Sequence, residues 1–120
     1  MGLRSQYRFA APDLLMAECS NVLWKKVRRG ELVRDEAILA SRLLERADVE
    51  LFSMRGLTEA TTSLAVELGH PAYDCSCLAL AHKRQSRFVT ADRRFLQLVG
   101  RIKPGHAELC VPLERLSHRP

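Results

Sequence analysis

The chain has 120 residues, is 47% hydrophobic and carries a net charge of +5. Such a length suits one domain with a real core, and such a composition argues against disorder. No apolar run approaches a membrane span, and the opening "MGLRSQYRFA" lacks the apolar core of a signal peptide, so a cytoplasmic protein is expected.

The first predicted element is a short strand at Tyr7–Ala11, "YRFAA". Pro12 then suits the first turn of a helix, where its missing N–H costs nothing. That helix runs Asp13–Arg29, with the apolar stripe Leu15, Cys19, Val22, Leu23 and Val27, and Gly30 ends it. A second helix spans Arg34–Arg46, with Asp35 and Glu36 in its first turn, where negative charge is favoured. Val49–Ser53 reads as a strand. Thr58–Leu68 is a helix closed by Gly69. Pro71 opens the next helix, Ala72–Arg84, which is apolar almost all round and therefore buried. A strand at Arg87–Thr90 follows, then a helix from Asp92 to Val99 stopped by Gly100. A last strand, Glu108–Leu113, contains Pro112, which suits an edge or an early end. The tail after Leu116 is expected to be loose. Strands alternating with helices imply an α/β fold with a mostly parallel sheet in a single domain, 1–120.

Basic residues cluster at Lys25–Gly30, "KKVRRG", at Lys83-Arg84 with Arg87, and at Arg93-Arg94. They favour an anionic partner such as nucleic acid, although cations near helix carboxyl ends are favourable in any case. The cysteines, Cys19, Cys75, Cys77 and Cys110, have neither zinc-ribbon nor CxxC spacing and read as buried thiols. Zinc held by Cys75, Cys77 and His82 is an outside reading.

Three acids stand where a lone carboxylate is costly. Glu18 lies on the apolar stripe of its helix. Asp74 has Cys77, Leu78 and Ala81 on its own face. Asp92 follows a buried strand. Each has a bland account: an arginine partner for Glu18, first-turn service for Asp74, an N-cap for Asp92. Brought together, they would repel one another, and a divalent cation such as Mg²⁺ or Mn²⁺ would relieve the repulsion. Such an ion lowers the pKa of a coordinated water and neutralises charge on a phosphate under in-line attack. No GxSxG, P-loop or GxGxxG competes.

The segments "APDLLMAECSNVLWKKVRRGEL", "GHPAYDCSCLALA" and "FVTADRRFL" resemble, in order, the PIN domain, in particular the VapC-type toxins of bacterial toxin–antitoxin pairs. The resemblance implies a three-layer α/β/α fold and an Mg²⁺- or Mn²⁺-dependent ribonuclease. It also implies a homodimer held inactive by a VapB-like antitoxin. Glu18, Asp74 and Asp92 match three of the family's four metal-binding acids. Thr90 would support the carboxylates, and Lys26, Arg93 and Arg94 would hold the RNA backbone. The family's first strand, with its aspartate, has no counterpart here. Four strands are therefore expected, with Tyr7–Ala11 closing directly beside Arg87–Thr90 or paired to a partner chain. Metal binding and cleavage should be weak; the alternative is a non-catalytic PIN-like module that binds RNA or an antitoxin.

Overall fold

The computed structural model describes residues 7–117. The amino-terminal residues 1–6 and most of the tail expected to be loose lie outside the described residues. The chain falls into two compact units, one ending at Ser53 and the other beginning at Met54.

The first unit contains β1 (Phe9–Pro12), α1 (Leu14–Arg28), α2 (Arg34–Glu45) and β2 (Val49–Phe52). β1 and β2 are parallel, in register from Phe9 opposite Val49 to Pro12 opposite Phe52. Pro12 ends the strand instead of opening the helix. The reason lies in the ladder: the Asp13 N–H donates to the Phe52 carbonyl at 2.7 Å, so position 12 turns its nitrogen away from β2. A missing N–H is harmless there, and Pro12 is fully buried. At the start of α2 the Glu36 carboxylate accepts the Val33 N–H at 2.8 Å. This is half of a capping box; the valine has no acceptor to complete it. No α1 residue is fully buried, and Val22, placed on the apolar stripe by its spacing, is exposed.

The second unit contains α3 (Thr58–Leu68), α4 (Ala72–Arg84), β3 (Phe88–Thr90), α5 (Arg93–Ile102), α6 (Pro104–Ala107), β4 (Cys110–Pro112) and α7 (Leu113–Ser117). β3 and β4 are parallel, Phe88 opposite Cys110 and Thr90 opposite Pro112. The core of this unit is built by Leu64 and Leu68 of α3, Cys75 and Leu78–Ala81 of α4, Phe95 and Val99 of α5, and Val111 of β4. α3 and α4 have the expected limits. α5 runs past Gly100 to Ile102, because a helical glycine costs only about 1 kcal/mol relative to alanine. Phe95 and Val99, four apart and fully buried, anchor that helix from one face. α6 and α7 are too short to leave a periodic signature and were not expected.

Four strands are present among the described residues, as the α/β reading expects. Among the described residues the four strands form two parallel pairs, β1–β2 and β3–β4. Within each unit the connection between the paired strands contains helices, as parallel pairing requires. The architecture is mixed α/β, rich in helix, with short parallel strands.

Candidate metal centre

The second unit brings three ligand-bearing side chains together. Ligand atoms of His70, Asp74 and Asp92 all lie within 4.8 Å of one another. Each is delivered by the end of an element. Gly69 closes α3 in the left-handed region at φ 61°, and both its N–H and that of His70 return to the Ala65 carbonyl. That reversal sets His70 just before Pro71, the N-cap of α4, and Asp74 follows in the first turn. Asp92 ends the segment after β3 and is the N-cap of α5.

The contacts define the roles. His70 Nε2 lies 2.9 Å from Asp74 Oδ2, with both side chains half-buried. The His70 ring packs on Phe95 with centroids 4.7 Å apart, and Phe95 in turn meets Phe88 edge-on at 5.9 Å. Asp92 Oδ1 accepts the Phe95 N–H at 3.0 Å, which leaves its second oxygen for another partner. Thr90 Oγ1 accepts the Asp92 backbone N–H at 3.0 Å. Thr90 therefore positions Asp92 through the main chain, not by a bond to the carboxylate. One imidazole and two carboxylates within this span suit a divalent cation.

Of the three acids singled out by sequence, Asp74 and Asp92 converge. Glu18 is half-buried on α1 in the first unit, and its carboxylate has no hydrogen bond or ion pair among the described residues. The bland accounts hold for Asp92, which caps α5, and for Asp74, which serves the first turn of α4. The arginine partner imagined for Glu18 is not found among the described residues. His70 was missed. Its signal was the i, i+4 spacing to Asp74 across Pro71, which a search for acids alone passes over.

The basic residues are already engaged in part. Arg93 pairs with Glu114 at 2.8 Å, and Lys26 with Glu31 at 3.4 Å. Arg94 is exposed and has no ion-pair partner among the described residues. The zinc reading fails: Cys75, Cys77 and His82 form no ligand cluster among the described residues. Burial pushes the Cys75 and Cys77 thiols up to about 11, which opposes the thiolate form that zinc needs. His82 instead stacks on His106 at 4.5 Å. Cys75 is buried, whereas Cys19, Cys77 and Cys110 are only partly so. Among the described residues no helix is long and apolar enough to cross a membrane.

The PIN domain family matches residues 3–100 of the chain. Ribonuclease VapC3 of Pyrobaculum aerophilum is 33% identical over 90 residues, a match covering 71% of this chain and 66% of the relative's length. The chain belongs to the PIN-domain family and is similar, within it, to a VapC ribonuclease.

Proposed function

We propose that the chain is a metal-dependent endoribonuclease of the VapC type, working as a single PIN-like domain on RNA in the cytoplasm. The observation that carries this reading is the meeting of Asp74 and Asp92, from the starts of two helices, in a chain of the PIN family. Glu18 is the third acid of the proposed site. A bound Mg²⁺ or Mn²⁺ would supply a water activated for attack on the phosphodiester. The chain's own residues do the rest. Asp74 and Asp92 hold the ion with Glu18, Thr90 fixes the Asp92 backbone, and Arg94, Arg93 and Lys26 take the phosphate backbone. A VapB-like antitoxin and a second copy of the chain are the proposed partners.

The test is cleavage of a mixed RNA substrate by purified chain in Mn²⁺ or Mg²⁺, with Asp92→Asn as control. Weak, metal-dependent cleavage abolished by Asp92→Asn is expected. RNA binding without any cleavage would favour the second reading, a non-catalytic module. Its support is that Asp74 and Asp92 both have ordinary protein partners, His70 and the Phe95 N–H.

A further inference from the structure

We propose that His70 is a direct nitrogen ligand of this centre, which makes it a mixed nitrogen–oxygen site that takes a first-row transition ion in preference to Mg²⁺. The inference rests on the reading of Asp74 and Asp92 as metal ligands and adds the ion's identity class.

The argument is geometric. Cis ligands of an octahedral ion with bonds of about 2.1 Å lie about 3 Å apart, and trans ligands about 4.2 Å apart. His70 Nε2 and Asp74 Oδ2 are separated by 2.9 Å, the cis value. All three ligand atoms fall within 4.8 Å of one another, so a modest approach of the Asp92 carboxylate completes the set. The hydrogen bond can thus give way to a shared cation with little movement of either side chain.

One ring nitrogen of His70 lies within 4.8 Å of a carboxylate oxygen of each acid. The ring's orientation is also fixed from two sides. The left-handed turn at Gly69 sets its backbone, and Phe95, fully buried, packs against its face. Phe95 is in turn held at its N–H by Asp92, so ring and carboxylate are placed by one interlocked set of contacts. An imidazole nitrogen raises affinity for transition ions, whereas Mg²⁺ favours an all-oxygen shell. One nitrogen among few carboxylates therefore shifts selection away from Mg²⁺.

The test uses the full chain, as wild type and as His70→Gln, whose amide can still donate to Asp74 but offers no imidazole. Mn²⁺ and Mg²⁺ are titrated separately by calorimetry, and Mn²⁺-loaded protein is measured by electron spin echo for coupling to ¹⁴N. Wild type should bind Mn²⁺ about tenfold or more tightly than Mg²⁺ and show imidazole nitrogen coupling. His70→Gln should lose the coupling and most of the preference, with Mg²⁺ affinity nearly unchanged. Bound Mn²⁺ without nitrogen coupling in wild type would overturn the proposal, and that measurement stands even if His70→Gln does not fold. An equal loss for both ions in the variant would also overturn it, leaving His70 as a positioning residue for Asp74. Failure of wild type to bind either ion would bring down the metal-dependent reading as well, an outcome distinct from binding that ignores His70.

Discussion

Substituting Asp92 in two ways should separate a structural duty from a chemical one. Its Oδ1 accepts the Phe95 N–H at 3.0 Å and so caps α5. Asparagine caps as well as aspartate, whereas alanine at an N-cap costs about 1 kcal/mol. Removing the negative charge beside the helix amino terminus adds about 0.3–1 kcal/mol to either variant. For a chain of this length 1 kcal/mol corresponds to about 4 °C in Tm. Without metal, Asp92→Asn should therefore melt within about 4 °C of wild type, and Asp92→Ala about 4 °C lower again. With an ion at a hundred times its Kd, wild type should gain about 2.7 kcal/mol. Both variants should lose most of that gain, because both lack the anionic ligand. The assay is thermal unfolding followed by circular dichroism, with EDTA and with Mn²⁺. Equal destabilisation of the two variants in EDTA would refute the cap. A full Mn²⁺ shift in Asp92→Asn would refute the ligand.

Other positions give independent checks. Phe95→Ala removes a fully buried ring and should cost about 3–5 kcal/mol in chemical denaturation; a cost under 1 kcal/mol would contradict the core described. Thr61 is buried, and its hydroxyl has no hydrogen-bond partner among the described residues. Thr61→Val should therefore be neutral or stabilising by about 1 kcal/mol, and a clear loss of stability would reveal a hidden partner. Gly69→Ala meets no atom within 4 Å, so its cost is that of a left-handed residue alone, about 1–2 kcal/mol. Cys75 and Cys77 are raised from 9.0 to about 11, so the fold holds their protons more tightly than the unfolded chain does. The stability they contribute is complete below pH 9 and is lost as pH rises toward 11, which a pH series of unfolding midpoints would detect. Thiol reagents at pH 8 should correspondingly react slowly with these two until the chain is denatured.

Much of this was legible in sequence because the signals are local. Thr58–Leu68 and Ala72–Arg84 are bounded by Gly69 and Pro71, and punctuation of that kind fixes helix ends without tertiary information. Asp74 and Asp92 stood out because burial makes a lone carboxylate costly. Strand pairing was not legible. Register and neighbour depend on contacts across the chain, and the three-residue strands β3 and β4 carry almost no period of their own. Pro12 was misplaced for a related reason. Both a helix start and a ladder position facing away from the partner tolerate a missing N–H, and only the bond from Asp13 to Phe52 decides between them. His70 was passed over because its environment comes from Phe95, which is distant in sequence.

The ordinary partners of Asp74 and Asp92 fit a protein-only role, but they are also compatible with a metal role, because they would hold the two acids in place ahead of any ion. Two carboxylates this close repel each other in a partly buried setting, and unrelieved repulsion would push the helix ends apart. His70 takes up Asp74 at 2.9 Å, and the first turn of α5 takes up Asp92 through an N–H and a favourable helix dipole. Each acid is thus offset separately, by groups that engage only one of its oxygens in the contacts seen. The free oxygens remain available to a cation, which would then stabilise both acids at once. A site arranged in this way holds its shape before loading, so little reorganisation opposes ion capture. The same contacts tie the centre to the core, since the amide that relieves Asp92 belongs to Phe95, the largest fully buried side chain. Capture of an ion should therefore be felt as added stability of the second unit, where the ends of α3, α4 and α5 meet.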